Sequence, residues 1–162
     1  GVRPSAIGRT CWLDEQLRSS LRTGIQQVVI LGAGYDSRAC RLPEVKFTSV
    51  FELDQPALIA MKKERLLSSL GALPGHVTYV EVDFDRQDII TVLSPTKFDR
   101  TLPTFFLWEG VMHYLDANAV DSTLRAIASL SPAGSQLAFT YIHRGLLDGT
   151  LDFGDLGDVP AM

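Results

Sequence analysis

The sequence predicts an α/β fold, a doubly wound and mostly parallel sheet with helices on both faces. Three observations predict it. Five short apolar runs alternate with stretches of helical periodicity, the pattern of a parallel sheet crossed over by helices. The first run, ending Val28-Val-Ile-Leu31, enters the glycine pair Gly32-Ala-Gly34. The second run closes on Glu52 and Asp54, so Gly32 to Glu52 and Gly34 to Asp54 are each 20 residues apart. A glycine turn after strand one and a carboxylate at the tip of strand two form the Rossmann-like layout of a nucleoside-cofactor site. The glycines let the backbone approach the ligand, and the carboxylate takes ribose hydroxyls. Right-handed crossovers fix the winding, and the ligand belongs beyond the C-terminal strand ends at the switch point.

The elements follow in order. Residues 1–24 read as a helical lead-in, with Trp12, Leu13, Leu17 and Leu21 at roughly helical spacing and Gly24 as a stop. Strand one covers 26–31. Asp36 and Ser37 suit the N-cap of a short helix, 37–42, that Pro43 ends. Strand two is expected over 46–53, starting near Phe47. Pro56 opens the next helix, in which Ile59, Leu66 and Leu70 share a face and Gly71 is the stop. Strand three is 77–82 with Asp83 at its tip, and a helix over 86–93 follows. Strand four is 104–108 with Glu109 and Gly110 at its tip. Asp116 caps a helix whose buried face is Val120, Leu124, Ile127 and Leu130. Residues 131–134 end it, and strand five is 136–142.

Length and composition predict one cofactor-binding domain over residues 1–145. Residues 146–162 form a tail rich in glycine and aspartate, expected to be mobile because it has little to bury. Its Asp148, Asp152, Asp155 and Asp158 lack the ligand spacing and closing glutamate of a calcium loop. Of the 162 residues, 46% are hydrophobic and 21% charged, as in an ordinary globular protein. Net charge is −4 with no cluster of Lys and Arg, which argues against a nucleic-acid partner. No apolar run reaches the roughly 20 residues of a membrane helix, and no signal-peptide core is present, so a cytoplasmic location is expected. Cys11 and Cys40 read as reduced thiols, and His76, His113 and His143 are too scattered for a metal site. The chain begins at Gly1 rather than Met, as a processed or partial chain does.

The glycine pattern selects among cofactors. A dinucleotide fingerprint needs a third glycine three positions after the second, but Gly34 is followed by Tyr35, Asp36 and Ser37. Asp36 would also repel a pyrophosphate at the helix N-terminus. S-adenosyl-L-methionine carries no phosphate, only a sulfonium, an ammonium and a carboxylate, and tolerates an acidic loop.

Five stretches extend this. They are Gly8-Arg9-Thr10 with Asp14, residues 27–42, Val50-Phe-Glu-Leu-Asp-Gln-Pro56, Val82-Asp-Phe84 and Trp108-Glu-Gly-Val-Met-His-Tyr-Leu115; residues 132–139 add a weaker one. With them the chain resembles the leucine carboxyl methyltransferase-like family, which includes bacterial S-adenosylmethionine-dependent O-methyltransferases with a class I methyltransferase core. The resemblance implies a role for each matching position. Arg9 holds the cofactor's methionine carboxylate, and Gly32 and Gly34 line its amino-acid end. Asp54 binds the ribose, with Glu52 as the second candidate. Asp83 and Phe84 flank the adenine, and Glu109 meets the ammonium. The chain departs from the family in two ways. Members usually run through a substrate-covering segment and two more strands, which implies a C-terminally truncated member whose last strands are missing. His113 also stands where relatives often carry an apolar residue.

Methyl transfer is an in-line displacement, and the enzyme chiefly aligns donor and acceptor and excludes water. A carboxylate acceptor needs no base. A hydroxyl acceptor does, and His113 is the local candidate. Simpler readings stand beside these: Arg9 pairing with Asp14, Asp54 capping the helix at Pro56, Asp83 capping its own helix, and Trp108 in the core. The leading expectation is methylation of a carboxylate or hydroxyl on a small molecule or peptide. The alternatives are an NAD(P)-dependent oxidoreductase and a non-catalytic Rossmann-like fragment that self-associates through an open edge after strand five.

Overall fold

The computed structural model describes residues 2–150, with the side chains of 2–5, 146 and 147 set aside. Most of the tail expected over 146–162 lies outside the described residues. The elements run α1 (Val2–Arg22), β1 (Gln27–Leu31), α2 (Arg38–Arg41), a 3-10 turn (Pro43–Phe47), β2 (Ser49–Asp54), α3 (Pro56–Leu70) and β3 (Val77–Glu81). They continue with α4 (Ile89–Leu93), β4 (Thr104–Trp108), a 3-10 turn (Met112–Tyr114), α5 (Ala117–Leu130), β5 (Gln136–Phe139) and α6 (Arg144–Leu147).

The sheet order is β3-β2-β1-β4-β5, and all four pairings are parallel. Val29 sits opposite Phe51 on one side and Phe106 on the other. Every residue of β1 and β4 is buried, as expected for central strands covered on both faces. On one face Val28, Ile30, Val50, Phe105 and Leu107 pack on Leu13 and Leu17 of α1 and Ala39 of α2. On the other, Val29, Leu31, Phe51, Leu53, Phe106 and Trp108 pack on α4 and α5 through Ile89, Leu93, Ile127 and Leu130. Helices therefore change face where the strand order reverses, between β1 and β4. Gln27 is a polar side chain buried at the start of β1, and it is satisfied. Its Nε2 donates to the Asp99 carbonyl (2.7 Å) and its Oε1 accepts from the Asp99 amide (2.9 Å).

Three expectations on element bounds change, and so does the burial of several helical residues. Strand two starts at Ser49, because Pro43 sits in the first turn of a 3-10 segment and Val45 anchors that segment in the core. Phe47 is left 95% exposed. Helix α4 starts at Ile89, because the amides of Arg86 and Gln87 turn back to the Asp83 carbonyl and Asp88 supplies the cap, accepting from the Ile90 amide (2.9 Å). Strand β5 stops at Phe139. Thr140 Oγ1 accepts from the Gly110 amide (2.8 Å), pulling the chain toward the tip of β4, and Tyr141 and Ile142 are exposed. Helix α3 buries only Ile59 and Lys62, with Leu66 half-buried and Leu70 exposed, because it covers the rim of the sheet. Trp12 likewise faces outward from α1. In α5, Ile127 and Leu130 are buried while Val120 and Leu124 are half-buried against the same core.

Lys62 reaches from α3 to β2, where its Nζ lies 2.6 Å from Glu52 Oε2, both nearly without exposure. Among the described residues neither atom has another polar partner, so each depends on the other. Burial pushes the Glu52 carboxyl up to about 7, against the pull of the Lys62 ammonium. The folded state thus keeps a proton on Glu52 up to about pH 7, while the unfolded chain releases it near the ordinary 4.5. The unfolded state binds fewer protons in that window, so this group makes stability fall as pH rises from 4.5 to 7. Glu52→Gln removes that slope from the pH dependence of the urea midpoint. Lys62→Met strands a buried carboxylate and costs about 3–5 kcal/mol at pH 8, whereas the double change Glu52→Gln with Lys62→Met recovers much of the loss. A cycle of urea titrations measures this; equal losses in the single and double variants contradict it.

Candidate functional site

The glycine turn is built by close approach. Gly32 and Gly34 have φ of 68° and 39°, in the left-handed region. The amides of Gly32 and Ala33 both donate to the Leu53 carbonyl, at 2.8 and 3.0 Å, which holds the turn against the tip of β2. The Gly34 amide donates to Asp54 Oδ2 (2.6 Å), and the Gln55 amide to Asp54 Oδ1 (2.7 Å). Asp54 is buried and fixed by backbone donors on both oxygens. Behind the turn, a Cβ on Gly32 would lie 2.2 Å from Val111 Cγ2, so only glycine lets the turn pass under the segment after β4.

Arg38, with a side chain 4% exposed, is the electrostatic centre. Its Nε donates to Asp14 Oδ1 of α1 (2.7 Å), its Nη1 to Asp36 Oδ2 of the turn, and its Nη2 lies 2.9 Å from Glu109 Oε2 at the tip of β4. Arg41 adds two donors to Asp14. Burial alone raises the Asp14 carboxyl, but hydrogen bonds from Arg41 and Arg38 outweigh it and hold the group below its usual value. Burial alone lowers the Arg38 guanidinium, and the carboxylates of Asp36, Asp14 and Glu109 more than reverse it. Arg9 Nε donates to the second oxygen of Glu109, Oε1, at 2.7 Å.

Two hollows open above the strand ends. One, of about 340 Å³, is lined by ionic groups including Arg9, Asp36, Arg38, Arg41 and Glu109. The other, of about 330 Å³, has an apolar wall of Leu58, Phe84, Val111 and Tyr114 with Asp54 and Asp83 at its edge. Gly32, Gly34 and Gly110 line both. Asp83 Oδ1 accepts from the Asp85 amide (3.1 Å), and Phe84 is buried.

Of the positions expected from sequence, Arg9, Gly32, Gly34, Asp54, Asp83, Phe84 and Glu109 meet around these hollows. Glu52 lies two residues back in β2, on Lys62, and lines neither. His113 is exposed in the 3-10 turn, its ring tilted on Tyr114 at 4.0 Å, and lines neither. Arg9 pairs with Glu109 rather than Asp14, which corrects the simpler reading of that residue. The cap of α3 is Gln55 rather than Asp54, and Trp108 is in the core. Sequence reasoning missed Arg38 as the centre and Tyr114, Leu58 and Val111 as walls. No spacing rule links Asp14, Asp36 and Glu109 to one guanidinium. Among the described residues, no three metal-binding side chains cluster, and no helix is long and apolar enough to cross a membrane.

Fold and cleft together define a Rossmann-like α/β protein with its site at the switch point. The profile of the leucine carboxyl methyltransferase family matches residues 1–128, and the chain belongs to that family. It is 41% identical over 144 residues to a Mycobacterium marinum protein named as an S-adenosyl-L-methionine-dependent methyltransferase, covering 88% of this chain and 45% of the relative. The chain thus spans less than half the length of that relative. Among solved structures, a methyltransferase from Thermobifida fusca superposes with a TM-score of 0.60 at 20% identity, over 86% of this chain and 53% of the other. Human N-acetylserotonin methyltransferase, solved with S-adenosylmethionine, gives a TM-score of 0.51 at 14% identity, over 74% and 30%. These likenesses establish a shared class I methyltransferase fold.

The contact between Gly32 and Val111 yields a prediction. Gly32→Ala combines an unfavourable φ with a steric clash and costs about 2–3 kcal/mol in urea unfolding. Val111→Ala in the same chain relieves the clash but not the φ, and returns about 1 kcal/mol. Additive effects in the double variant contradict the contact.

Proposed function

We propose that the chain is the cofactor-binding part of an S-adenosyl-L-methionine-dependent methyltransferase that methylates a carboxylate or hydroxyl oxygen on a small molecule or peptide. The paired hollow carries this reading. An apolar half edged by two aspartates joins, across a glycine ridge, a half lined by opposite charges. That division matches a nucleoside linked to a zwitterionic amino acid. Asp36 is engaged by Arg38 at the turn where a dinucleotide needs room for its pyrophosphate, which disfavours the NAD(P) alternative.

S-adenosylmethionine, when bound, supplies a methyl group already activated by its sulfonium. The chain's residues bind and orient. Asp54 receives the ribose hydroxyls, held in place by the Gly34 and Gln55 amides. Glu52 takes no part in our scheme, because Lys62 occupies it. Asp83 reads the adenine edge and Phe84 supports its plane. Arg9 and Glu109 hold the carboxylate and ammonium of the amino-acid end, where charge-assisted bonds give the strongest polar contacts. Residues 1–145 constitute this domain. The exposure of His113 supports a carboxylate acceptor, which needs no base. With a hydroxyl acceptor, His113 beside the β4 tip is the base.

Among the described residues β5 pairs only with β4, and its other edge supports self-association.

Isothermal titration with S-adenosylhomocysteine tests the proposal, with NAD as control. Saturable binding is expected for the first alone. Asp54→Ala weakens it about 10–100-fold, the cost of a lost hydrogen-bonding charge. Binding of NAD, or unchanged affinity in Asp54→Ala, overturns the assignment.

A further inference from the structure

Glu109 is held by two arginines that differ in kind. Arg38 is buried, and its Nε, Nη1 and Nη2 each meet a carboxylate from a different element: α1, the glycine turn and the tip of β4. Moving it would leave Asp14 and Asp36 without it inside the protein, at a cost of several kcal/mol. Arg9 is 48% exposed at its side chain, reaches from the first half of α1, and among the described residues pairs with Glu109 Oε1 alone. An exposed pair of this kind contributes little and exchanges readily. The two oxygens of Glu109 are therefore unequal: Oε2 is anchored and Oε1 is held by a partner that can leave.

We propose that the Arg9–Glu109 ion pair is an exchangeable contact that makes the charged hollow select a ligand bearing both an ammonium and a carboxylate, with Arg38 as the fixed positioning residue. The inference rests on the methyl-donor reading above. On binding, Arg9 leaves Oε1 and takes the ligand's carboxylate, and Glu109 Oε1 receives the ligand's ammonium. One ion pair is broken and two are made. A ligand with only the ammonium must break the Arg9–Glu109 pair and leaves Arg9 without a new partner. A ligand with neither charge gains nothing in this hollow.

Three thioether nucleosides separate these cases. S-adenosylhomocysteine carries both charges, 5′-deoxy-5′-(3-aminopropylthio)adenosine the ammonium alone, and 5′-methylthioadenosine neither. In the unaltered chain the first binds best, and the other two bind alike. Arg9→Met weakens S-adenosylhomocysteine about tenfold but tightens the aminopropyl compound about threefold or more, because no pair needs breaking. Glu109→Gln brings the aminopropyl compound no higher than 5′-methylthioadenosine and leaves S-adenosylhomocysteine above both, because Arg9 still meets its carboxylate. Arg38→Met does the same if it melts cooperatively; if it does not fold, the Arg9 and Glu109 variants decide, since neither empties the core. Affinity for 5′-methylthioadenosine stays within about twofold throughout, which a merely unfolding variant does not allow. An Arg9→Met chain that binds the aminopropyl compound no better than the unaltered chain overturns the exchange. Binding of 5′-methylthioadenosine without preference for S-adenosylhomocysteine overturns the exchange and leaves the nucleoside site standing. No binding of any of the three overturns the methyl-donor reading and the exchange with it.

Discussion

The structure depends on the backbone contact between the glycine turn and the tip of β2. Two amides on one carbonyl and a third on the Asp54 carboxylate fix where strand one ends and where the acid of strand two points. The contact requires a chain without side chains at its closest points, since Val111 closes over Gly32 from the other flank. It also spares the turn's amides from remaining unpaired near a half-buried cleft. Both hollows take their common wall from this turn, so the shape of the site follows from hydrogen bonds made for folding.

Charge is buried in this protein in two different ways. Arg38 satisfies three carboxylates with a planar fork, and each partner has further donors, so little of the desolvation goes uncompensated. Among the described residues, Glu52 Oε2 and Lys62 Nζ have only each other. The first arrangement joins α1, the glycine turn and β4, and therefore organises the site. The second joins α3 to β2 beneath it. Tyr79 and Cys40 lie close enough to Glu52 that its charge, after burial itself, pushes both groups above their ordinary values.

The fold was legible where local chemistry decides it. Alternating apolar runs, Gly32 and Gly34, and the carboxylate at the tip of strand two specify a parallel sheet, and the five strands form one, in the order β3-β2-β1-β4-β5. Bounds failed where a tertiary contact competes with pattern. Val45 turns a β-like run into a 3-10 segment, and Thr140 takes the chain off β5 toward Gly110. The placement of Arg9 near Glu109 followed from the family likeness, not from spacing: the two are 100 residues apart. Arg38 was invisible as a centre because its partners come from three separate segments. Glu52 and Asp54 share a face of β2 and an equal distance from a glycine, so periodicity alone does not separate them. Lys62 does, by claiming one of them from the next helix.

The position of the reversal in strand order explains where the cleft opens. Because helices change face between β1 and β4, the cleft opens at the centre of the sheet, and its walls come from the tips of β1, β2, β3 and β4 together with α1. Strand β5 contributes only support, through the Thr140 hydroxyl that accepts from the Gly110 amide. Helix α1 therefore ties the far edge of the sheet, where it packs against β5, to the charged hollow that its Arg9 lines.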